Sequence, residues 1–493
     1  MNLPPDLYTA AQVRELDRIA IEDFSIPGFM LMQYAGQATF DALLEAFPDT
    51  RSLCVICATG NNGGDGYVIA TLAIEAGFVV KLVQLGDSKT MTGDAQRMRA
   101  AFLLAGGQET DLQQALLCAD VIVDAIFGTG LSRDISGSWA DVIRAINASP
   151  AKVVAVDIPS GLHADTGRVQ GIAVKADLTV TFIGLKRGLF TAQARDYCGE
   201  IRFNDLQVPP EVYQQLNEKP QTRLIPGDFI RQILKPRQRS SHKGDHGHVL
   251  LIGGAQGMSG AIRLAAEAAL RTGAGLVSVA TAPSHAELLN LTHAEIMVKG
   301  VEDANALSPL INKSCVIGIG PGLGQSEWSR ALLFKVLESD KALVLDADAL
   351  NLLAQIPDLP KNKPWILTPH PAEAARLLGM TTQQIEADRY QSIQKLSKKG
   401  GDGFVLKGAG TLVSDGVTTH VCTAGNPGMA SGGMGDVLSG IIAALVAQGL
   451  SLADAAIAGV ELHAQAADRA AQQGERGLLA SDLFPYLREL VNP

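Results

Sequence analysis

The sequence lacks three features that mark common specialised classes of protein. It contains no stretch of 18 or more apolar residues, which a transmembrane helix requires. Its first residues, MNLPPDLYTAAQVRELDRIA, lack the basic start and apolar core of a secretory signal. It also lacks basic excess: the net charge of −10 disfavours nonspecific binding to nucleic acid or anionic membrane. We therefore expect a cytoplasmic protein with small-molecule partners and no nucleic-acid or membrane partner.

Cysteine is also scarce, and its six positions do not form a disulfide framework in a chain of 493 residues. Cys54 and Cys57 make a CxxC pair, but it lies inside the apolar run SLCVICATG. Alternation along a strand points residues three apart to opposite faces of a sheet. We therefore interpret both as thiols of the protein core rather than as a redox pair.

The amino-terminal part instead contains apolar runs of strand length that alternate with helical segments. The runs are SLCVICATG, VVKLVQLG, DVIVDAIFG, KVVAVDIPSG and DLTVTFIGLK. Near-continuous apolar strands separated by helices indicate a parallel sheet that is covered on both faces. We predict an α/β fold with a Rossmann-like, three-layer α/β/α domain.

A polar, proline-spaced stretch after residue 207 indicates a domain boundary, and we predict domains at 1–218 and 219–493. Strand-like runs then resume as HVLLIGG, LVSVATA, CVIGIGPG, ALVLDADAL, WILTPHP, GFVLKGAGT and THVCTAG. They predict a second α/β unit. Open parallel sheets bind ligands at the carboxyl ends of their strands, so two such units predict two separate sites.

The segment GNPGMASGGMGDVLSG, residues 425–440, combines six glycines with one carboxylate, Asp436, just before an apolar helix. Glycines allow the backbone to approach a ligand closely, and a helix start offers free amide hydrogens to an anion. Asp436 is placed to accept a proton from a nearby hydroxyl group. The alternative is a simple helix cap. Further small or polar strand ends are KGAGT from Lys407, GIGPGLG, and His370 between two prolines.

Together these motifs resemble the NAD(P)H-hydrate dehydratases, the ADP- or ATP-dependent carbohydrate-dehydratase branch of the ribokinase-like superfamily, over residues 225–490. The resemblance implies a ribokinase-like fold and a magnesium ion that arrives with ADP or ATP. It implies a nucleotide site at Lys407, Gly408, Ala409, Gly410, Thr411 and Gly435, and a substrate site at Ala261, Gly322, His370 and Asp436. The alternative is a kinase for a small molecule.

In the dehydratase hypothesis, Asp436 removes the proton of the substrate hydroxyl as its oxygen attacks the terminal phosphate of the nucleotide. The ring nitrogen then expels phosphate. The nearby segment SHKGDHGH contains His242, His246 and His248, but it lacks the cysteines or carboxylates of a zinc site. We do not predict a metal there.

The amino-terminal part has its own polar strand ends. ATGNNGGDGYVIA does not match GxGxxG, because Ile69 stands where the third glycine belongs. Asn61, Asn62 and Asp65 instead bring amides and a carboxylate to what we predict to be a bare loop. Asp124 with amide, hydroxyl and backbone oxygens would form a weakly charged oxygen site, which favours a monovalent cation over calcium. Polar turns and caps without function are the alternative.

GNNGGDG, DAIFGTGL and DIPSGL resemble the YjeF amino-terminal domain, the NAD(P)H-hydrate epimerase, over residues 8–215. The resemblance implies potassium at Asn62, Asp124 and Ser160. It implies substrate contacts by Asn61, Asn62, Gly63, Gly64, Asp65, Gly128, Thr129, Gly130, Leu131, Ser132, Arg133, Asp134 and Asp157. The segment MLMQYAG departs from the family's Glu-Asn version by having Gln33 and Tyr34.

We predict Asp157 as the epimerase acid/base, with Lys186 as its helper unless Lys186 is only an exposed strand-end residue. The two resemblances together imply repair of hydrated NADH and NADPH. The R and S hydrates would be interconverted in one domain, and the S hydrate would be dehydrated in the other. We expect a homo-oligomer. The alternative for the amino-terminal part is a noncatalytic dimerisation or ligand-sensing module.

Overall fold

The computed structural model describes residues 3–117, 119–291, 293–360 and 363–492. The chain divides between Thr222 and Arg223 into two compact units, Met1–Thr222 and Arg223–Pro493, called unit 1 and unit 2 below. Within these ranges, none of the helices combines the length and the hydropathy that a membrane span requires.

Unit 1 alternates strands and helices. Its strands are β1 Asp6–Tyr8, β2 Ser52–Cys57, β3 Val79–Gln84, β4 Val121–Ala125, β5 Lys152–Val156, β6 Leu178–Phe182, β7 Leu185–Lys186 and β8 Glu200–Asn204. Its helices are α1 Ala10–Arg18, α2 Gly28–Ala46, α3 Asn61–Glu75, α4 Gly93–Leu104, α5 Leu112–Leu116, α6 Gly137–Ala148 and α7 Pro210–Gln214. The main sheet has the order β3-β2-β4-β5-β6-β8, with every pair parallel.

The near-continuous apolar strands of this sheet are buried on both faces, as predicted. Cys54 and Cys57 show it directly, because each is fully buried in a different apolar cluster. Burial raises the pKa of the Cys54 thiol to about 12 and that of Cys57 as well, so neither is a ready thiolate. The assignment of both to the core is confirmed.

Unit 2 is built on strands β10 His248–Ile252, β11 Leu276–Thr281, β12 Met297–Gly300, β13 Val316–Ile319, β14 Ala342–Leu345, β15 Trp365–Leu367, β16 Gly403–Leu406, β17 Leu412–Ser414 and β18 Thr419–Val421, with the short β9 Thr222–Leu224 at its start. Its helices are α8 Phe229–Ile233, α9 Ser259–Thr272, α10 Ala286–Leu289, α11 Ser308–Lys313, α12 Glu327–Leu337, α13 Ala347–Leu353, α14 Pro371–Leu378, α15 Thr382–Ala387, α16 Arg389–Ser397, α17 Met434–Ala447, α18 Leu452–Ala470 and α19 Phe484–Leu490. The order β12-β11-β10-β13-β14-β15-β16 is parallel, and β17 and β18 continue it antiparallel.

Two local predictions are wrong. GNNGGDG is not a loop, because α3 begins at Asn61 and contains all its glycines except Gly60. A Cβ on Gly63 would stand 1.9 Å from the Ala58 carbonyl oxygen, so glycine lets this helix start against the end of β2. The run DLTVTFIGLK is not one strand, because Ile183 adopts a left-handed φ of 61° between β6 and β7.

Candidate active sites

The predicted residues of unit 1 meet at the point where its strand order reverses. β2 and β4 are neighbours, but the chain passes from β2 to β3 on one side and later to β4 on the other. The segments that follow β2 and β4 therefore diverge, which is where open α/β sheets bind ligands. A cavity of about 800 Å³ lies there.

Most of the predicted substrate contacts line this cavity. They are Asn61, Asn62, Asp65, Gly128, Thr129, Gly130, Leu131, Ser132, Arg133 and Asp157, together with Lys186. Gly63, Gly64 and Asp134 are not among the lining residues. Added Cβ atoms at the two glycines would meet Ala58 and Met32, so these glycines serve close packing of α3 instead.

Lys186 is buried, so the alternative of an exposed strand-end lysine is wrong. Its side chain is 1% exposed and forms an ion pair with Asp157. Its Nζ also donates to the Thr181 hydroxyl at 3.0 Å and to the Phe182 carbonyl at 2.9 Å. Because the chain breaks between β6 and β7, Lys186 lies in the short strand β7, where it lines the cavity. Asp157 itself has a left-handed φ of 69°, which aspartate tolerates better than most residues.

Two further carboxylates face the same lysine. Asp65 of α3 and Asp17 of α1 line the cavity, and both interact electrostatically with Asp157 and Lys186. Burial, opposed by Lys186, raises the pKa of Asp17 to about 6. Burial and the charge of Asp157 raise the pKa of Asp65. The sequence reasoning missed Asp17, which stands in an ordinary amphipathic helix.

Two of the three predicted potassium ligands, Asp124 and Ser160, are in direct contact. Asp124 is fully buried, and its carboxylate accepts hydrogen bonds from the Ser160 hydroxyl at 2.6 Å and the Ser160 amide at 2.8 Å. Burial raises the pKa of Asp124 to about 6. Both polar side-chain atoms of Asn62 are buried without a hydrogen-bond partner in the described chain.

The departure at Gln33 and Tyr34 falls outside the cavity lining. Helix α2 contributes Leu31, Met32 and Ala35 to the cavity. Gln33 is exposed, and Tyr34 packs against the apolar core of unit 1. Neither Gln33 nor Tyr34 therefore belongs to the lining of the cavity.

In unit 2 the strand order reverses between β10 and β13, and the segments that follow them touch. The Ala255 amide donates to the Gly322 carbonyl at 2.7 Å. Gly322 has a left-handed φ of 56°, and a Cβ there would stand 3.1 Å from the Cβ of Ala261 in the first turn of α9. The structure thus brings the predicted substrate residues Ala261 and Gly322 together.

An aspartate that the sequence reasoning did not single out anchors the centre of this site. Asp346 follows β14, is 1% exposed, and bonds Lys407 Nζ at 2.7 Å. It also accepts from the hydroxyls of Thr368 at 2.9 Å and Ser439 at 2.7 Å. Lys407 is therefore fixed at the end of β16, and a Cβ on Gly435 would stand 3.2 Å from its Nζ. These contacts join the predicted nucleotide residues Lys407 and Gly435.

Asp436 lies in the first turn of α17 but does not cap it. The N-cap position belongs to Gly433, whose φ is 92°. No hydrogen bond of the Asp436 carboxylate occurs in the described parts of the chain, so the capping alternative is not supported. Burial and the neighbouring charge of Asp346, opposed by Lys407, raise the pKa of Asp436 to about 7. That value suits a general base near neutral pH.

His370, a predicted substrate residue, caps helix α14. Its Nδ1 accepts the Ala372 amide at 3.1 Å at the start of α14, and its Nε2 lies 3.2 Å from Glu373. Burial and Lys407 lower its pKa, so it is neutral at neutral pH.

Below the turn Gly408–Thr411, the buried Arg389 donates to the carbonyls of Leu406 and Lys407 at 3.1 and 3.2 Å.

The three histidines near residue 245 have separate partners. His248 Nε2 lies 2.7 Å from the Ser278 hydroxyl, His246 contacts Ser241, and His242 lies 3.3 Å from Asp245. They do not converge on a common point.

Comparisons with known proteins agree with both halves of this arrangement. A family model described as NAD(P)H-hydrate dehydratase matches residues 249–489, and one described as the YjeF-related protein amino terminus matches residues 28–188. The chain is 49% identical over 490 residues to the bifunctional NAD(P)H-hydrate repair enzyme Nnr of Coxiella burnetii, with 99% of each chain covered. The Escherichia coli protein of that name is 44% identical over 501 residues, which cover 100% of this chain and 95% of the relative.

A solved ribokinase-like superfamily protein of Enterococcus faecalis V583 is 30% identical, with a TM-score of 0.52. It covers 55% of this chain and 95% of its own. Both resemblances and both predicted fold classes are therefore confirmed. This chain belongs to the family of bifunctional NAD(P)H-hydrate repair enzymes.

Proposed function

We propose that unit 1 interconverts the R and S hydrates of NADH and NADPH, and that unit 2 dehydrates the S hydrate with ADP or ATP. One observation carries the proposal for unit 2. Asp436 has a raised pKa and no hydrogen-bond partner in the described chain, and it stands beside the loop and lysine that suit a phosphate.

In unit 2, Asp436 takes the proton of the substrate hydroxyl while its oxygen attacks the terminal phosphorus of the nucleotide. The new P–O bond forms as the bond to the rest of the nucleotide breaks. Lys407 and the amides at the start of α17 stabilise the transferring phosphoryl group. The nitrogen of the ring then expels phosphate, and loss of a proton from the adjacent carbon restores the ring double bond.

In unit 1, Asp157 acts as an acid/base in the epimerisation of the carbon that carries the hydroxyl group. Lys186 holds one Asp157 oxygen, which fixes the carboxylate at the cavity wall. The rest of the lining, which includes Asn61, Asn62, Asp65 and residues 128–133, binds and orients the dinucleotide.

The residues proposed for potassium fit a cation with oxygen ligands. Asn62 has a buried amide without a partner, and Asp124 is a buried carboxylate beside the Ser160 hydroxyl. A potassium ion would supply a positive charge next to the cavity that helps to orient an anionic substrate. Replacing potassium by a large organic cation should slow epimerisation, and an undiminished rate would remove the ion from the proposal.

A magnesium ion in unit 2 would be held mainly by the phosphate oxygens of the nucleotide. Across the described ranges, no group of three or more His, Cys, Asp and Glu side chains is arranged to hold a metal ion. Magnesium would neutralise phosphate charge during transfer.

The decisive experiment incubates the chain with mixed hydrate epimers, potassium, magnesium, and either ADP or ATP. Return of the absorbance of reduced nicotinamide, with release of inorganic phosphate and consumption of both epimers, supports the proposal. A stable phosphorylated product would indicate a small-molecule kinase instead. Rapid consumption of the S epimer, with the R epimer consumed no faster than spontaneous epimerisation allows, would leave unit 1 as a noncatalytic module.

A further inference from the structure

The cavity of unit 1 contains more carboxylates than its buried lysine can neutralise. Asp17, Asp65 and Asp157 line it, and Lys186 pairs with Asp157. In the described part of the chain, no hydrogen bond or ion pair engages the carboxylates of Asp17 and Asp65. Next to Lys186, two acidic side chains therefore face the cavity with their oxygens available to a ligand, and Asp94 of α4 lines the same cavity.

Asp17 differs from Asp65 in where it stands and in how readily it exchanges a proton. It projects from α1, a helix separate from the strand ends that provide the other site residues. The adjacent Arg18 does not neutralise it, because Arg18 is engaged by Glu15 and Glu22, each at 2.8 Å. Burial, partly opposed by Lys186, raises the pKa of Asp17 to about 6, so protonated and ionised forms are both accessible near neutral pH.

Epimerisation at a carbon that bears a hydroxyl group and adjoins a ring nitrogen needs two proton transfers. One group must protonate the hydroxyl as it leaves, because hydroxide is a poor leaving group. Another must take a proton from the water that returns to the other face of the ring. A single carboxylate fixed by a lysine does not occupy both positions.

We propose that Asp17 is a second catalytic residue of the epimerase site, donating a proton to the departing hydroxyl group while Asp157 receives one from the incoming water. The inference rests on the function proposed for unit 1 and assigns the missing acid to that site.

The step balances in atoms and charge. The C–O bond breaks with its electron pair going to oxygen, which takes the Asp17 proton and leaves as water. The lone pair of the ring nitrogen forms a C=N bond, and the ring becomes a cation. Water then adds from the opposite face, its oxygen forming the new C–O bond and its proton passing to Asp157 as the nitrogen regains its lone pair. The reverse reaction uses the same groups in exchanged roles.

Several charged or titratable groups of unit 1 surround Asp17 and shape its pH dependence. They are Lys186, Asp157 and Asp65 at the cavity, Tyr213 of α7, Asp94 of α4, and Arg14, Arg18 and Glu15 on its own helix. Because Asp17 acts as the acid from R to S, kcat should fall as pH rises above about 6.

The test follows conversion of the R to the S hydrate by chromatography, with the full chain, potassium and no nucleotide, so that unit 2 is silent. Asp17→Asn should lower kcat at least 100-fold, the usual size of a lost general acid, and should flatten the alkaline fall. Asp17→Glu should recover much of the rate. The control is Asp41→Asn, which removes one negative charge from the exposed face of α2 and should leave the rate unchanged.

A second measurement tests whether the C–O bond of the hydrate breaks. In water enriched in oxygen-18, the S hydrate formed by the wild-type chain should carry the label in its hydroxyl group. If the wild-type chain is active and Asp17→Asn lowers kcat less than threefold, the role of Asp17 is overturned. Retention of the original hydroxyl oxygen in the S hydrate would also overturn it. No wild-type conversion above the spontaneous rate would instead refute the function proposed for unit 1.

Discussion

The two units place one lysine against one aspartate at the carboxyl end of a parallel sheet, but they pair the lysine with different kinds of aspartate. In unit 1, Lys186 is bound to Asp157, the proposed acid/base itself. In unit 2, Lys407 is bound to Asp346, which also takes two hydroxyl hydrogen bonds, and the proposed base Asp436 is left without a partner in the described chain.

This difference fits the two chemical tasks. A base that must ionise a reluctant alcohol gains from a raised pKa, and burial beside Asp346 gives Asp436 a pKa of about 7. An epimerase must work in both directions, so it needs one group that donates a proton and one that accepts it. Asp17 and Asp157, which both interact with Lys186, provide such a pair.

The largest expected effect separates the two sites completely. Asp436→Asn should lower the kcat of dehydration at least 100-fold, because loss of a general base typically costs about 10² to 10⁴ in rate. Nucleotide affinity and epimerisation should not change. In the wild type, kcat should rise as pH passes through about 7, since the base must be ionised.

Steady-state assays of both activities on one preparation check this prediction. Asp157→Asn is the matched variant, and it should impair epimerisation alone. A loss of tenfold or less in Asp436→Asn would show that Asp436 is not the base. Equal losses in both activities would show that the substitutions act through folding.

The sequence predicted most of the sheets but not how glycine is used at their ends. The apolar runs of β2, β4 and β5 were recognised because strands buried on both faces need little polar patterning. The sequence predicts a loop at the start of α3, because glycine has low helix propensity and the contact that requires it, Gly63 against Ala58, is tertiary.

The sites were predictable where a motif ends a strand and were missed elsewhere. Asp157, Asp124 and Asp436 stand in recognisable motifs. Asp17 lies in an unremarkable helix, and Asp346 follows β14 in a run that resembles any buried strand. Their importance comes from Lys186 and Lys407, which are far away in sequence. Only the fold shows which lysine meets which carboxylate.

Removing each lysine should sharpen the comparison. Lys186→Met leaves Asp157 beside Asp17 and Asp65 with no buried cation, and breaking a buried pair costs about 3 kcal/mol or more. We expect a loss of that size in the free energy of unfolding at pH 8, and a smaller loss at pH 5, where Asp17 and Asp65, whose pKa values are raised, take up protons. Lys407 is 19% exposed, so Lys407→Met should cost less.

Urea unfolding followed by fluorescence at the two pH values measures both variants. A loss for Lys186→Met that is the same at pH 5 and pH 8 would indicate lost packing rather than unpaired charge. Equal losses for the two lysines would mean that the difference in their burial has no energetic consequence.

Asp346→Asn should make unit 2 resemble unit 1 in one respect, because a lysine would then be free to pair with the proposed base. The substitution removes a negative charge that raises the pKa of Asp436, and it frees Lys407 to approach that base. The apparent pKa in the dehydration profile should therefore fall below 7. We expect kcat/KM to fall about tenfold, since about 1.4 kcal/mol of transition-state stabilisation corresponds to that factor. An unchanged profile would show that Asp346 does not act on Asp436.

Ser439→Ala, which removes one hydrogen bond to Asp346 and no charge, is the control.

The smallest effect concerns stability rather than rate. Between about pH 4 and 7, folded Asp436 holds a proton that the unfolded chain has released, because its pKa rises from 3.8 to about 7 on folding. The residue therefore makes the protein less stable as pH rises through this range. Asp436→Asn should remove that loss and stabilise unit 2 by about 1 kcal/mol at pH 8, after allowance for partial exposure, with no gain at pH 4. Thermal unfolding at the two pH values tests it. An inactive Asp436→Asn variant that is no more stable than the wild type at pH 8 would show that ionisation of Asp436 does not destabilise the folded protein. The contrast between Asp436 and the lysine-bound Asp157 would then have no energetic basis.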